Sequence, residues 1–454
     1  MSVDRVPRLI VAGTHSGVGK TTVSLGLMRA FARRGLRVAP YKVGPDYLDP
    51  GHHAVAAGRT GHNLDGWMLQ PGANRAIFDE GARDADVAVI EGVMGLFDGF
   101  DGASEAGSTA QIAKWVDAPV VLVLDCFAMA RSAGATVLGF AKFDPDLAFA
   151  GVLLNRVASA AHSHWLREAI EPLGVLEVLG ALRHDPELHL PERHLGLVQA
   201  REMDGESRLE RLADALEEAV DLDALLAAAR AARRPPEARE SELDFLRSHD
   251  GPARARVGVP RDDAFAFYYE ANLAALRAAG SELVEFSSLE DPLPDGLDGL
   301  YLGGGYPELF AGRLASNRRL LEALRRFAAS GRPIHAECGG LMWLGETLVV
   351  EGIEHRMAGV LPIATAMSDR LTLGYAEVES RGAGGPWPEG TRARGHRFHR
   401  SAIVSGPEAN AWVLGDGSLA GFAQGGVQAS YVHLHFGSNP ALATTFVDAC
   451  ARSG

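Results

Sequence analysis

Residues 13–22 read GTHSGVGKTT and decide the fold of the N-terminal half of the chain. An apolar run, 9–12, precedes this motif, and a segment with helical periodicity, 23–34, follows it. A short strand, a glycine-rich turn and a helix form the setting of a phosphate-binding loop, in which backbone N–H groups and the helix N-terminus face a phosphate. In that setting Lys20 reaches the β- and γ-phosphates and the hydroxyl of Thr21 binds Mg²⁺.

The loop is one residue longer than the common GxxxxGK[ST] spacing, because Thr14 stands where the first glycine is expected. This longer form resembles the dethiobiotin-synthetase-like branch of P-loop proteins rather than the GTPases or motor ATPases. A plain glycine-rich turn is the alternative, which the flanking strand and helix patterns disfavour. The sequence therefore predicts an ATP site formed by Gly13, Gly17, Gly19, Lys20, Thr21 and Thr22.

Composition limits the class of the protein. The chain has 454 residues, of which 47% are hydrophobic and 22% charged, which is typical of a globular protein with two or three domains. The formal charge of −14 argues against nucleic acid or an anionic membrane as a partner. We see neither a signal-peptide layout nor a run of ~18 apolar residues that could cross a membrane. Three scattered cysteines fit neither a disulfide framework nor a zinc site, so we expect a cytoplasmic protein.

Acidic residues follow two predicted strands of the N-terminal half. One strand runs into a loop with Asp46 and Asp49, and another, 87–90, ends at Glu91 and is followed by a glycine-rich loop with Asp98. Open α/β sheets hold ligands at the carboxyl ends of their strands, and an acid there is typical of a metal site for nucleotide phosphates. We predict that these four acids bind Mg²⁺ or substrate, although such residues also form turns and cap helices.

The remaining patterns set the domain organisation. Apolar strands at 119–125 and 149–155 are typical of a parallel sheet covered on both faces. Asn155, at the end of the second strand, could read an adenine edge or form a turn, and 184–198 is predicted to be a functional loop. The segment 232–244 has paired prolines, many charges and no apolar face, as linkers do. The sequence therefore predicts a P-loop domain over 1–231, a linker over 232–254 and a second α/β domain over 255–454.

The second half carries a cysteine at a tight turn. A strand, 299–302, ends in three glycines, whose N–H groups can converge as an oxyanion hole. The later segment RPIHAECGGL reads as a strand, an elbow and a helix, with Cys338 at the elbow. Because a helix N-terminus lowers the pKa of a thiol, Cys338 is predicted to be a nucleophile rather than an inert core cysteine. About a hundred residues later, YVHLHF places His433 and His435 on one face of a strand, as candidates for the base.

Together these motifs resemble the cobyrinate or hydrogenobyrinate a,c-diamide synthase family of cobalamin biosynthesis. The resemblance covers the whole chain, and its carriers are GTHSGVGKTT (13–22), YKVGPDYLDP (41–50), NLDGWML (63–69), EGVMGLFDG (91–99), LPERHLGL (190–197), HAECGG (335–340) and SYVHLHF (430–436). It implies two α/β domains, a dethiobiotin-synthetase-like P-loop domain and a glutamine amidotransferase domain similar to the triad class I type.

The resemblance also implies roles for the residues of the second domain. Cys338 is the nucleophile, His433 is its base, and N–H groups at Gly304 and Gly340 hold the oxyanion. Class I enzymes carry a glutamate two residues after the histidine. That position is His435 here, so the third triad member is missing or replaced, and His435 takes the orienting position.

The implied reaction consumes ATP, with Mg²⁺, and glutamine. A carboxylate of a corrinoid polycarboxylate attacks the γ-phosphate, and ammonia from glutamine displaces phosphate from the acyl phosphate, once on the a and once on the c side chain. This implies a sheltered route for ammonia between the domains and allows a homodimer. Asp46, Asp49, Glu91 and Asp98 lie around the metal, the phosphates and the substrate. Because the composition suggests a GC-rich bacterium, we expect hydrogenobyrinate rather than cobyrinate.

Several alternatives stay open from the sequence. Cobyric acid synthase amidates other carboxylates of the same ring, and a nickel-sirohydrochlorin a,c-diamide synthase shares the motifs. A MinD- or ParA-like switch ATPase belongs to another class. It would carry a lysine at the position of His15 and would leave Cys338 without a role. A stress protein or peptidase reading of the second half does not account for the fused ATPase.

Overall fold

The computed structural model describes residues 6–188, 192–193, 196–197, 205–232, 244–247 and 249–453. The chain divides into two compact units, Met1–Arg239 and Glu240–Gly454. The division falls inside the segment that the sequence predicts to be a linker, of which 233–243 and 248 lie outside the described residues. Of the predicted functional loop 184–198, residues 189–191, 194–195 and 198 also lie outside them.

The first unit alternates strands and helices. Its strands are β1 (Arg8–Gly13), β2 (Val38–Val43), β3 (His62–Leu64), β4 (Val87–Glu91), β5 (Val120–Asp125), β6 (Phe149–Val157), β7 (Val178–Arg183), β8 (Glu192–Arg193) and β9 (Gly196–Leu197). Its helices are α1 (Lys20–Arg33), α2 (Leu48–Ala57), α3 (Pro71–Gly81), α4 (Thr109–Val116), α5 (Ser132–Phe143), α6 (Ala160–Ile170), α7 (Gly205–Ala219) and α8 (Leu222–Arg230).

Within the described residues, seven of these strands form a parallel sheet in the order β3-β2-β4-β1-β5-β6-β7. Strands β1, β2 and β4 are buried along their whole length, as continuous apolar strands are in a sheet that helices cover on both faces. Because β1 is central and Val11 pairs with Glu91 of β4, the glycine-rich loop and the acid at the end of β4 lie side by side.

Helix α1 is fixed on its outer face by α7. A Cβ atom at Gly26 would lie 2.8 Å from Leu216 Cδ2, so the glycine permits the close approach of the two helices. At the edge of this contact Arg29 bonds to Glu210, and Arg33 to Asp214 at 2.6 Å. The helix that begins at the glycine-rich loop is therefore held by packing as well as by the sheet.

The second unit combines two main sheets. Its strands are β10 (Ala255–Pro260), β11 (Phe265–Phe267), β12 (Ser281–Phe286), β13 (Gly299–Leu302), β14 (Gly304–Gly305), β15 (Ile334–Glu337), β16 (Thr347–Val350), β17 (Ile353–Arg356), β18 (Ala364–Ser380), β19 (Arg392–Ser405), β20 (Trp412–Leu414), β21 (Leu419–Ala420), β22 (Phe422–Gln424), β23 (Val427–Ser430) and β24 (His433–Leu434). Its helices are Glu270–Ala278, Ala311–Ser316, Arg318–Ala329, Gly339–Leu344 and Ala441–Ser453.

The first sheet of this unit has the order β12-β10-β13-β15-β23-β22 and is parallel except for β22. The second runs β17-β16-β18-β19-β24. Cys338 follows β15 in the first sheet, whereas His433 lies on β24 at the edge of the second. The expected pair of α/β folds is confirmed, and no described helix is both long and apolar enough to span a bilayer.

Candidate active sites

The loop between β1 and α1 has the backbone of a phosphate-binding loop. Gly17 and Gly19 have φ angles of 80° and 98°, in the left-handed region that glycine tolerates. A Cβ atom at Gly19 would lie 2.3 Å from Nδ2 of Asn155, so a larger residue there would displace this amide. Helix α1 begins at Lys20, earlier than the sequence pattern predicts, which puts the lysine in its first turn.

The ammonium group of Lys20 turns into this loop. Its Nζ donates to the carbonyl oxygens of Met94, at 2.5 Å, and His15, at 3.3 Å. Burial, followed by the charge of Lys42, lowers the pKa of Lys20 to about 8. Two carbonyl oxygens therefore occupy the positions around the ammonium that phosphate oxygens can take over when a nucleotide binds.

A buried polar cluster lies at the start of α1. The hydroxyl of Thr21 donates to Oε1 of Glu91 at 2.7 Å, and Nζ of Lys42 lies 2.9 Å from the same oxygen. Nε2 of His53 lies 2.7 Å from the other oxygen of Glu91. Lys42 also pairs with Asp49 at 2.6 Å. The structure thus brings three predicted residues together, and two that the sequence analysis missed, Lys42 and His53, join them.

Charge balance governs this cluster. Burial alone would raise the pKa of Glu91, but Lys42 and the hydrogen bonds from His53 and Thr21 hold it well below its usual range. Burial opposes the charge of Lys42 as well, yet Asp49 and Glu91 keep the pKa of this lysine above its usual value. Glu91 is therefore a carboxylate, and Lys42 an ammonium, at any working pH.

The oxygen atoms of Thr21 and Glu91 fit a magnesium ion. Mg²⁺ prefers oxygen ligands, and proteins usually supply one or two of them while water and phosphate complete the shell. Among the described residues, no group of three or more His, Cys, Asp or Glu side chains is arranged to hold a metal ion by itself. The hydroxyl and the carboxylate, 2.7 Å apart beside the phosphate loop, suit an ion that arrives with a nucleotide.

The other two predicted acids lie nearby with local partners. Oδ1 of Asp46 accepts from the N–H groups of Leu48 and Asp49, at 2.7 and 2.9 Å, and so caps α2. Oδ2 of Asp98 accepts from the N–H of Gly95 at 3.0 Å. These bonds are those of turn residues, and the metal or substrate roles of Asp46 and Asp98 stay predictions.

Two residues at the end of β6 brace the phosphate loop. Nδ2 of Asn155 donates to the carbonyl of Val18 at 2.7 Å, so its amide is engaged with the loop. Arg156 donates to the carbonyl of Gly17 at 2.9 Å. Beside them lies a cavity of about 570 Å³ whose wall includes Phe127, a ring that is 70% exposed. An exposed aromatic face next to the phosphate loop suits a nucleotide base.

In the second unit, the chain makes the expected elbow at Cys338. The residue has φ 49° and ψ −99°, a strained conformation for a residue with a Cβ atom. Its N–H donates to the carbonyl of Ser430 at 2.8 Å. A Cβ atom at Gly340 would lie 2.3 Å from the carbonyl oxygen of Leu302, so the turn packs tightly on the end of β13. Such elbows present nucleophilic side chains in other α/β enzymes.

The electrostatic expectation for this thiol is wrong. Burial, then the carboxylate of Glu308, raise the pKa of Cys338 to about 12. A hydrogen bond from the N–H of Gly339 lowers it, but not enough to compensate. The following helix, Gly339–Leu344, is short, and the side chain of Cys338 is only 6% exposed. Desolvation therefore outweighs the helix terminus, and the resting residue is a thiol.

We expect the rate at which iodoacetamide alkylates Cys338 to rise about tenfold for each pH unit between about pH 7 and 10, without levelling off. The reason is that a thiol with a pKa near 12 gains thiolate over that whole range. The measurement is the rate of modification of the Cys338 peptide by mass spectrometry. The unfolded chain is the control, because the modification rate of its Cys338 thiol should level off near the ordinary pKa of cysteine. A plateau below about pH 8 in the folded protein would contradict the structure and favour the helix-terminus prediction.

His433 approaches the elbow from the second sheet. Its ring is buried and stacks on His396, with centroids 5.0 Å apart. A Cβ atom at Gly304 would lie 2.4 Å from Cε1 of His433, so this glycine makes room for the ring. Burial, then the neighbouring His396, lower the pKa of His433 to about 3. The ring is therefore neutral and able to accept a proton.

His435 does not take the orienting position that the resemblance implies. Its Nδ1 accepts from the N–H of Gly437 at 3.1 Å, and its ring lies against Tyr269, with centroids 4.6 Å apart. The carboxylate that faces His433 is instead Glu337, whose Oε2 lies 3.9 Å from Nδ1 of His433. The sequence analysis missed Glu337, although it stands directly before the cysteine at the end of an apolar strand.

The predicted oxyanion donors also need a correction. The N–H of Gly340 donates to the carbonyl of Gly303 at 3.0 Å, so it is already used inside the fold. The N–H of Gly339 is the one that bonds to the Cys338 sulfur. Gly304 lies against His433, and its role as an oxyanion donor stays a prediction.

Comparisons with known proteins match the two units separately. Residues 9–198 match the family described as CobQ/CobB/MinD/ParA nucleotide binding domain. Residues 256–441 match the family described as CobB/CobQ-like glutamine amidotransferase domain. A solved structure described as a glutamine amidotransferase covers 43% of this chain with a TM-score of 0.34 and 21% identity, too weak a likeness to add to these matches.

Curated relatives match nearly the whole chain. A cobyrinate a,c-diamide synthase of Syntrophotalea carbinolica is 46% identical, with 98% of each chain covered. A hydrogenobyrinate a,c-diamide synthase of Streptomyces coelicolor is 41% identical, with 99% of this chain and 98% of the relative covered. The chain belongs to the cobyrinate/hydrogenobyrinate a,c-diamide synthase family. The family resemblance predicted from the motifs is thereby confirmed, and this chain matches a nucleotide-binding domain family and a glutamine amidotransferase domain family in its two halves.

Proposed function

We propose that this chain uses ATP and glutamine to amidate the a and c carboxylates of cobyrinate or hydrogenobyrinate in cobalamin biosynthesis. The observation that carries the proposal is that one chain holds both a phosphate loop with a buried acid and a cysteine elbow, and matches a,c-diamide synthases over almost its full length. A switch ATPase of the MinD or ParA kind has no use for the second site.

In the second unit, Cys338 and His433 release ammonia from glutamine. His433 takes the proton of the thiol as the sulfur attacks the amide carbon, so that a C–S bond forms. The proton then passes to the departing nitrogen, the C–N bond breaks, and ammonia leaves. Water hydrolyses the thioester to glutamate and restores the thiol. A neutral His433 and a protonated Cys338 are the states from which this sequence begins.

In the first unit, a carboxylate of the corrinoid attacks the γ-phosphorus of ATP, and the bond to the bridging oxygen of ADP breaks. The resulting acyl phosphate reacts with ammonia, and phosphate leaves to give the amide. Lys20 neutralises charge on the phosphates, and the N–H groups of α1 face them. When bound, Mg²⁺ held by Thr21 and Glu91 supplies further charge neutralisation.

The experiment that tests this proposal incubates the purified chain with ATP, Mg²⁺, glutamine and either cobyrinate or hydrogenobyrinate. We expect products that carry two additional amides, with release of ADP, phosphate and glutamate in matching amounts. Mass spectrometry of the corrinoid and a comparison of kcat/KM for the two substrates provide the readout. Glutamate release and ATP hydrolysis without any amidated corrinoid would contradict the proposed corrinoid substrate. Absence of glutaminase activity would contradict the proposed class, a glutamine-hydrolysing ligase.

The preference between the two corrinoids stays a prediction. Relatives of both names match the chain at similar identity, 46% and 41%. The two substrates differ at the centre of the ring and not at the carboxylates that are amidated. We therefore propose hydrogenobyrinate as the better substrate only on the composition of the chain, and a higher kcat/KM for cobyrinate would reverse that choice.

A further inference from the structure

We propose that Glu337 is the positioning residue of the glutaminase site, and that it replaces the missing triad glutamate by fixing the tautomer of His433. This inference rests on the proposed roles of Cys338 and His433. It assigns this role to a carboxylate on β15, the strand that directly precedes Cys338, and not to a residue that follows His433.

The location of Glu337 is the first argument. It is the last residue of β15, has no exposed surface and directly precedes Cys338. Its Oε2 lies 3.9 Å from Nδ1 of His433, within ion-pair range but longer than a hydrogen bond. Catalytic hydrogen bonds are often long in unliganded enzymes and tighten when substrate binds. The carboxylate and the ring therefore need only a small adjustment to meet.

The second argument is that the carboxylate is itself held in place. The hydroxyl of Tyr301 donates to Oε2 at 3.0 Å, and the N–H of Leu434 donates to Oε1 at 2.9 Å. Nε2 of His335 lies 2.8 Å from Oε1. Because Leu434 is the neighbour of His433 on β24, Glu337 ties the strand of the base to the strand of the nucleophile. A carboxylate that is held by three neighbours can in turn orient the ring of His433.

The third argument concerns the hydrogen atom of the imidazole ring. A neutral histidine carries one N–H, on either nitrogen, and only the tautomer with a bare nitrogen towards the thiol can act as base. The other titratable groups facing His433 are His396, His399 and His335, each of which can donate as well as accept. The oxygens of Glu337 act as acceptors, as the bonds that Tyr301 and Leu434 donate to them show. Glu337 therefore selects the tautomer with the hydrogen on Nδ1 and leaves Nε2 to take the proton of Cys338.

The test is the variant Glu337→Gln. Its amide is nearly the same size, but it can present an N–H to Nδ1 and so favour the wrong tautomer. In serine-protease triads the corresponding Asp-to-Asn change lowers kcat by ~10⁴ for this reason. We expect kcat for glutamine hydrolysis to fall by about 10³-fold or more, with KM within about threefold of the parent. Amidation with ammonium chloride in place of glutamine should stay unchanged.

Two further variants separate positioning from stability. Tyr301→Phe is the matched control, because it removes a buried hydrogen bond to the same carboxylate but leaves the carboxylate itself, and its kcat should stay within about tenfold. Glu337→Asp keeps an acceptor-only group one methylene further away and should recover part of the activity lost in Glu337→Gln. A merely structural role predicts a different pattern, in which Tyr301→Phe and Glu337→Gln lose equal activity and Glu337→Asp recovers none.

A measurement on the unmodified protein keeps the proposal testable even if Glu337→Gln does not fold. ¹⁵N NMR of histidine-labelled protein, with His433→Gln for assignment, should show the hydrogen of His433 on Nδ1. A hydrogen on Nε2 would overturn the proposal, as would a folded Glu337→Gln protein with kcat within tenfold of the parent. Full glutaminase activity in Cys338→Ser would instead overturn the assignment of the nucleophile, which is a separate outcome.

Discussion

Cys338→Ser is expected to lose glutamine-dependent amidation by at least about 10³-fold and to keep amidation with ammonium. The hydroxyl of serine is a far weaker nucleophile than the thiol of cysteine. The phosphate loop and Glu91 belong to the other unit, and the amidation proposed there requires only that ammonia is supplied. The measurement is the rate of amide formation with glutamine and with ammonium chloride at raised pH, for parent and variant.

Cys450→Ser is the matched control, because Cys450 is a buried cysteine of the same unit that lies on the last helix, away from the elbow. It should keep both activities. His433→Ala should behave like Cys338→Ser, and His435→Ala should lose less, since its contacts are with Tyr269 and Gly437. If ammonium fails to restore amidation in a folded Cys338→Ser protein, the division of labour between the units is wrong.

Lys20→Ala is expected to lower amidation by about 10²- to 10³-fold or more with either nitrogen source. The side chain is the cation that points into the phosphate loop, and no other lysine bonds to the carbonyls of Met94 and His15 among the described residues. Glutamine hydrolysis should continue, because it needs only the second unit. The measurements are amide formation and glutamate release in the same reaction mixture.

Lys114→Ala provides the control for this loss. Lys114 is a lysine of the same unit that pairs with Glu105 and Asp144, apart from the phosphate loop. Its removal should leave the rate of amidation within about threefold of the parent, since partly exposed ion pairs contribute little. Equal amidation in Lys20→Ala and the parent would show that the glycine-rich loop does not serve the phosphates.

The sequence was sufficient to predict the sheet and both loops. The apolar runs that end at Gly13 and Glu91 are buried strands, and neighbouring parallel strands bring their carboxyl ends together. The same holds for β15 and the elbow at Cys338. These features depend on residues that are close in sequence, where glycine positions and hydrophobic periodicity determine the backbone.

The residues that the sequence analysis missed make contacts between distant segments. Lys42 lies inside a strand, and only the packed sheet places its ammonium between Asp49 and Glu91. A lysine within an apolar strand is nevertheless a signal, because burying its charge requires a partner. Glu337, like Glu91, is an acid at the end of a buried strand, and the same pattern could have identified it.

The pKa of Cys338 and the N–H of Gly340 were predicted wrongly for a related reason. Both predictions depended only on the start of the helix that follows Cys338 and not on the residues packed around it. In the structure, burial of the thiol outweighs the effect of the helix N-terminus on the pKa of Cys338. The N–H of Gly340 donates to the carbonyl of Gly303 and is therefore already used. Burial and long-range hydrogen bonds are set by tertiary packing, which a motif does not contain.

The buried lysine of the first unit has a consequence for how this protein can change over evolution. Lys42 pairs with both Asp49 and Glu91, so its loss leaves two buried carboxylates without their cation. Effects of substitutions within such a group are not additive. A neutral residue at position 42 becomes tolerable only after both acids have been replaced by neutral residues. The three residues are therefore expected to be replaced together in descendants of this chain, or not at all.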